Sequence, residues 1–470
     1  MNPELDPSYE ENHIRPLVQR FETMLDNGEQ HFYDVDEFEE IIDHYLANGA
    51  LDKLSGVIYL AKSQHPYSSE FKVREAELMA MSNKPQDALK LLEEVEHIEP
   101  SNAEVHLTKS TAYSQMGDFE RSIKSLERAA ELSRHDRDSI YLSLAMEHHN
   151  MGNLAETSVY LEKAIAENPG NQDALYELAY TMDLLDRTEA SVAQYQRLLD
   201  LNPYHHFAWY NMGCAYNKLG LYEKAIEAFD FAIVINEDFF PSYINKGNAL
   251  LQLKRFSDAL GVYSELLQLN QNDALTYYYI GECYERMEEL EKAQYFYNKS
   301  IYLDANLAEA WLGIGVVKNQ QDRATEGIKY IRKAIELEPH NADFWYYYAE
   351  TQQTLGSIDE ASDAFEKVVQ LEPENLEVWL DYSHMLLGNG QQEVAIEVLV
   401  EGIQHHPTAA ELYYRMTAYL FQMGKQNTGL DFLREALQMD YSKHSVLFEY
   451  MPKSRELSAV NQLLETFKNA

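Results

Sequence analysis

Two columns of small residues, each recurring every 34 positions, restrict the possible folds of this chain more than any other feature. The first column reads Ala76, Ser110, Ala145, Ala179, Gly213, Gly247, Gly281, Gly315, Ala349, Ser383 and Thr417. The second reads Ala88, Ser122, Thr157, Ser191, Ala225, Ala259, Ala293, Gly327, Ala361, Ala395 and Gly429. Small side chains at fixed places let helix backbones approach closely, while larger neighbours fill the grooves. A fixed period of this length marks an array in which each unit buries its apolar face against the next. Proline keeps the same register at Pro66, Pro100, Pro169, Pro203, Pro339, Pro373 and Pro407, with Glu237, Gln271 and Ala305 filling the slot between. One residue more than two periods separates Pro100 from Pro169, which places a single insertion near Ser133–Asp138. The register predicts about twelve units.

Turn and cap residues fall where such units need them. Gly49, Gly117, Gly152, Gly220, Gly356, Gly390 and Gly424 stand at the turn inside the unit, where a left-handed backbone is least costly for Gly. Asn83, Asp186 and Asp322 substitute for it. Asn102, Asn171, Asp273, Asn341 and Asn375 are placed as helix N-caps, and proline just before them ends the preceding helix. No strand is expected. Before the array, Pro16 suits the first turn of a helix whose stripe is Leu17, Phe21, Met24 and Leu25, closed by Gly28. After Tyr441 the pattern fades. Val446, Leu447 and Tyr450 resemble the start of a thirteenth unit that Pro452 interrupts. A last helix is expected over Ser454–Lys468, with Leu457, Val460, Leu464 and Phe467 on one face. The expected organisation is a helical cap over 1–34, a tandem array over 35–443 and a capping helix over 444–470. No segment is then left for a catalytic domain.

The stretch His206–Glu237 shows the unit most clearly, as HFAWYNMGCAYNKLGLYEKAIEAFDFAIVINE. Trp209, Met212, Gly213 and Tyr216 mark a first helix, Gly220 a turn, and Ala225, Phe229 and Ala232 a second helix. This resembles the tetratricopeptide repeat (TPR), whose pattern W-x2-L-G-x2-Y…A-x3-F is met with Met212 at the Leu position. The resemblance implies an all-α fold, a right-handed α-solenoid superhelix of TPR helix–turn–helix units with helical caps.

Composition narrows the partners. The chain has 38 basic and 78 acidic residues, a net charge of −40. That argues against nucleic acid, which needs clustered Lys and Arg to neutralise phosphates. It fits either a basic partner or simple solubility. A hydrophobic content of 45% separates the chain from disordered acidic tails. Cys214 and Cys283 are the only cysteines, which points to a reducing, cytoplasmic setting. The N-terminal MNPELDPSYEENH lacks the apolar run of a secretory signal, and no window is apolar enough to insert in a membrane.

No enzyme signature, metal site or cofactor site emerges. The pairs His148-His149, His205-His206 and His405-His406 are adjacent, and adjacent residues on a helix diverge too far to chelate together. Gly313-Ile-Gly315 lacks the strand and third glycine of a phosphate loop. Cys214 has no His or Asp partner in sequence and reads as a packing residue.

The candidate site is the inner face. The resemblance implies that first helices line a concave groove through positions 2, 5, 9 and 12 of each unit. Position 5 reads Tyr176, Tyr210, Tyr278, Tyr346 and Tyr414, and the last four stand 68 residues apart. Groove neighbours include Tyr180, Asp183, Asn217, Asn248, Glu282, Glu285, Asp343, Glu350, Glu377 and His384. Tyrosine combines a rigid ring with a hydroxyl, which suits recognition at low entropy cost. Carboxylates beside such rings suit Lys or Arg. The competing reading is that tyrosine, at 34 residues, merely fills the interior. A carboxylate clamp for chaperone tails, as known in some members of the family, is not expected. Its slots here read Tyr210, Cys214, Asn245, Leu275 and Tyr279, or one unit later Ile244, Asn248, Tyr279, Glu309 and Gly313, and none is cationic. The expected function is therefore a non-enzymatic adaptor or scaffold binding a protein or peptide, with Lys/Arg as the complementary chemistry. The alternative is a permanent targeting or regulatory subunit, or a chaperone-like holder, of a larger enzyme, translation or secretion complex.

Overall fold

The chain folds into helices joined by short links and left-handed turns, in a computed structural model that describes residues 7–270 and 272–468, with side chains from residue 14. Gln271, in the proline slot, and the residues at either end lie outside the described residues. Among the described residues every regular element is helical. The chain divides into two compact units, Met1–Glu237 and Asp238–Ala470.

The first unit opens with Pro7–Asn27 and continues through six antiparallel pairs. These are Val35–Ala47 with Leu51–Gln64, Glu70–Met81 with Pro85–Ile98, Ala103–Gln115 with Phe119–Leu132, Arg137–Asn150 with Leu154–Glu167, Gln172–Leu184 with Thr188–Leu201, and His206–Lys218 with Tyr222–Ile235. The second unit holds pairs seven to twelve: Phe240–Gln252 with Phe256–Leu269, Ala274–Arg286 with Leu290–Leu303, Ala308–Gln320 with Ala324–Leu337, Ala342–Thr354 with Ile358–Leu371, Leu376–Gly388 with Gln392–His405, and Ala410–Gln422 with Gln426–Met439. Within each unit a helix packs on its own partner, on the next pair, and on the neighbouring first helix. The result is a stacked α-solenoid rather than a central core.

Sterics explain the two small columns, whose members are all buried. The first column receives the large side chain 16 residues later. A Cβ on Gly213 would lie 2.6 Å from the Phe229 ring, one on Gly247 2.2 Å from Tyr263, and one on Gly281 2.6 Å from Tyr297. Tyr297 is also gripped from the next pair, since a Cβ on Gly313 would lie 2.6 Å from the same ring. The ring therefore sits in a slot between two glycine backbones. In pair nine the helices themselves touch: a Cβ on Gly327 would lie 2.7 Å from the Gly315 carbonyl.

The turn glycines named above all have positive φ, and so do Asn83, Asp186 and Asp322. Lys254 and Glu288 adopt the same conformation without the help of a short side chain. Asn102, Asn171 and Asp273 cap their helices through side-chain oxygens, whereas Asn341 and Asn375 occupy the N-cap position without that bond. A further device holds the links between pairs. The indole N–H of Trp209, Trp311, Trp345 and Trp379 each donates to the carbonyl six residues earlier, at 2.9 Å.

Details at the two ends differ from the sequence expectation, and the inserted residue shows its local effect. Pro16 lies inside the first helix rather than in its first turn. On that helix Leu25 is 54% exposed, while Val18 joins Phe21 and Met24 in the core. The extra residue near Ser133–Asp138 lengthens the helix Arg137–Asn150 to 14 residues, against 13 for the first helices on either side. At the far end, Pro452–Glu456 is a 3-10 turn and the last helix starts at Ser458. The helix Ser445–Tyr450 packs on Ala410–Gln422, and Ser458–Lys468 on Gln426–Met439, the places a thirteenth pair would fill.

Candidate functional site

In the first unit the candidate residues are largely engaged with one another. Tyr176 is half-buried, stacks on His205 with ring centres 5.6 Å apart, and accepts a hydrogen bond from Asn211 Nδ2 at 2.9 Å. Asp183 accepts from Thr188 Oγ1 at 3.2 Å and lies 3.6 Å from Lys218 Nζ, a cation it shares with Asp186 at 2.8 Å. Tyr210 packs against Phe229, and Tyr180 is 41% exposed. The Asn217 Oδ1 is buried and has no hydrogen-bond partner among the described residues.

The second unit gathers more of them. Asn248 accepts from the Tyr263 hydroxyl at 2.7 Å, which anchors that ring. Tyr278, Glu282 and Glu285 stand on the first helix of pair eight and line a pocket of about 80 Å³. Its other walls are Arg286, Tyr297, Glu309, Leu312, Gly313, Val316 and Tyr347. Glu285 accepts from the Tyr297 hydroxyl at 2.7 Å, and Arg286 Nη2 lies 3.5 Å from Glu282 Oε1. Burial pushes the carboxyls of Glu282 and Glu285 above the ordinary range, opposed by Arg286 at the first and chiefly by the Tyr297 bond at the second.

Tyr347 is also a wall of a second pocket, of about 240 Å³, with Asp343, Tyr346, Glu372, Glu377 and Asp381 around it. The Tyr346 hydroxyl donates to Asp381 Oδ2 at 2.9 Å, and Glu350 stands exposed nearby. No Lys or Arg lines this pocket. Burial raises the phenol pKa of Tyr278, Tyr297 and Tyr346, so all three stay neutral donors. His384 is exposed and meets Tyr450 edge-on.

Tyr414 requires a correction. It is fully buried, and its hydroxyl donates to the Asp440 carbonyl at 2.8 Å. The terminal segments Tyr441–His444 and Ser445–Tyr450 pack over its helix, so the position that faces outward in other pairs is covered here.

Position-by-position reading missed Tyr347, Asp381, Glu309 and Arg286. Glu309 occupies position 2 and was available to it. Tyr347 and Asp381 occupy position 6, which sits beside position 5 and also four residues from position 2, hence on the same helix face. Among the described residues no cluster of three or more metal-ligating side chains occurs, and no helix is long and apolar enough to cross a membrane. The Cys214 thiol is pushed up to about 11 and the Cys283 thiol to about 12, mainly by burial, as for packing residues rather than nucleophiles. The arrangement brings rings, hydroxyls and several carboxylates together, chemistry that suits a cationic group.

Tetratricopeptide-repeat family models match the chain over residues 79–145, 138–171, 173–203, 206–239, 244–308, 308–341 and 330–361, together more than half of it. No curated protein sequence matches significantly. Among solved structures, a tetratricopeptide repeat protein from Parabacteroides merdae is 20% identical, with a TM-score of 0.41 over 53% of this chain and 98% of that one. YrrB, described as a TPR protein with an unusual peptide-binding site, is 23% identical, with a TM-score of 0.33 over 38% and 92%. The Cut9–Hcn1 hetero-tetramer of APC/C gives 15% identity and 0.39 over 84% and 91%. At these identities and TM-scores the likenesses carry no functional argument.

Proposed function

Because this chain belongs to the tetratricopeptide-repeat family, we propose that it is a non-enzymatic adaptor or scaffold, holding a protein segment against the first helices of pairs eight to eleven. The observation that carries this reading is the second pocket, where Asp343, Glu372, Glu377 and Asp381 stand together with no cation among them. Carboxylates beside tyrosine rings and without a cation in the same pocket attract Lys and Arg, and the tyrosines add contact area at little entropy cost. The partner is then a protein with a basic stretch. Nucleic acid, which shares the sign of this surface, is disfavoured. Several modest contacts along successive pairs add up without one deep pocket. The terminal helices, before Val35 and after Lys443, act as caps that keep the ends of the stack soluble. A cytoplasmic setting suits the two unpaired thiols.

Capture from native lysate on immobilised protein tests this, with a second column carrying Tyr278→Ala and Tyr346→Ala. A partner released by moderate salt and lost from the second column is the expected result. Equal recovery on both columns refutes the inner-face reading. One observation favours a second reading, that of a permanent complex subunit engaged through its outer helices. Tyr302 is 89% exposed on the second helix of pair eight, beside exposed Tyr295, whose ring carries Lys299 Nζ at 4.9 Å. Salt-resistant, stoichiometric co-purification that survives the inner-face changes would select it.

A further inference from the structure

The smaller pocket has a chemistry of its own. At about 80 Å³ it holds a few waters, at ~10–15 Å³ each, or one planar head group, and not a length of backbone. Its carboxylates come from two directions: Glu282 and Glu285 from one helix of pair eight, Glu309 from the first helix of pair nine. Glu309 makes no hydrogen bond or ion pair among the described residues. Two tyrosine rings, Tyr297 and Tyr347, line the space. Tyr297 is locked in its glycine slot, whereas Tyr347 is more than one-third exposed and shared with the larger pocket.

One guanidinium already stands at the rim. Arg286 is 61% exposed at its side chain, and its contact with Glu282 is longer than the ~2.7–2.9 Å of a well-formed charged hydrogen bond. It is held loosely and leaves Glu309 unmatched.

Resting on the inner-face reading above, we propose that this pocket is the receptor for a single arginine side chain of the bound segment, which enters beside Tyr347, bonds Glu282 and Glu309, and displaces Arg286. A guanidinium presents five donors in a flat fork, so it can reach carboxylates on two helices while lying against a ring. A lysine ammonium is a compact point charge that cannot span both and stack at once. The larger pocket across Tyr347 takes a second basic side chain of the same segment with less selectivity, since it is wider and its carboxylates are more exposed. Arg286 thereby sets a threshold: a partner must offer better geometry than the chain's own arginine.

The probe is a set of fluorescent Gly/Ser peptides with two arginines at varied separations, plus matching lysine and citrulline sets, titrated into the full chain by anisotropy at about 0.15 M salt. Citrulline keeps the shape of arginine without its charge. The best arginine peptide is expected to bind about tenfold or more tighter than its citrulline counterpart, and several-fold tighter than lysine, since each tenfold is about 1.4 kcal/mol. Glu282→Gln and Glu309→Gln should each remove most of the arginine-over-lysine preference with helicity unchanged, and Arg286→Ala should raise affinity. Equal binding of arginine and lysine peptides, or indifference to Glu282→Gln and Glu309→Gln, overturns the pocket. If binding is then lost with Asp381→Asn and Tyr346→Ala, the inner face stands and only the arginine receptor falls. Binding indifferent to all four substitutions overturns both. Failure of every peptide to bind overturns the arginine receptor.

Discussion

Replacing Gly281 by Ala should destabilise the second unit, although the same exchange in a helix interior ordinarily stabilises. In an exposed helix the change gains about 1 kcal/mol. At Gly281 the new Cβ would lie 2.6 Å from Tyr297 Cδ1 and 2.7 Å from Cε1, against an ordinary contact of about 3.5 Å. The ring must retreat by nearly ~1 Å, yet its other edge already abuts Gly313. Overpacking of this kind costs about 1–3 kcal/mol. Weakening the 2.7 Å bond from the Tyr297 hydroxyl to Glu285 adds roughly 1–2 kcal/mol. The balance is a loss of about 1–4 kcal/mol. Gly261→Ala is the internal control, because it lies inside the helix Phe256–Leu269 with nothing within 4 Å of its Cβ, and it should gain up to about 1 kcal/mol. Urea unfolding followed by circular dichroism, with hydrogen exchange over residues 274–320, reads both variants. If Gly281→Ala stabilises as Gly261→Ala does, the slot is not tight and the packing account of the glycine column fails.

Other substitutions test separate parts of the structure. Lys254→Gly and Glu288→Gly relieve left-handed backbones that disfavour long side chains, and each should raise the urea midpoint, by ~1 kcal/mol of stability; no gain would show those turns to be unstrained. Trp345→Phe removes the bond to the Pro339 carbonyl while keeping a ring, and should cost about 0.5–1.5 kcal/mol by the same assay; a neutral result would make the indole bond incidental. Binding of a basic segment should weaken as the pH falls from neutral toward the ordinary carboxylate range, ahead of ordinary surface carboxylates, because burial raises the pKa values of Glu282 and Glu285. The sign for stability is opposite. A carboxyl whose folded pKa exceeds its unfolded value stabilises fully below the unfolded value and loses that contribution as pH rises through the folded one. These two groups therefore favour the fold as pH falls over the interval in which they release a cation. Binding isotherms across that range that stay flat would contradict the assignment.

The helix pairs were legible because their requirements are local and periodic. A Gly at 213, 247 or 281 and a ring 16 residues later belong to one unit, so one period of sequence contains both halves of the contact. Tyr278, Glu282, Glu285 and Tyr346 were named from the groove positions that the resemblance to the repeat family implies. What lay hidden depended on neighbours. Asp183 gives no sign in sequence that Lys218, 35 residues on, stands beside it. Tyr414 shares its position with Tyr346, but terminal segments outside the repeat cover it. Tyr347 and Asp381 flank the second pocket only because successive first helices stack with a particular offset, and that offset is a property of packing rather than of any one repeat.

The seat of Tyr297 has a kinetic consequence. A phenol ring turns over by half a revolution only if its surroundings swell, and here the surroundings are two helix backbones from successive pairs. The ring cannot turn until those backbones part. Its flip rate, readable from exchange between the two sides of a selectively labelled tyrosine, is thus a clock for the breathing of the stack at that point. The hydroxyl on the same ring holds Glu285, so each opening event also loosens one wall of the carboxylate pocket. A ligand that bridges the two pairs should slow the clock, and one that binds elsewhere should leave its rate unchanged.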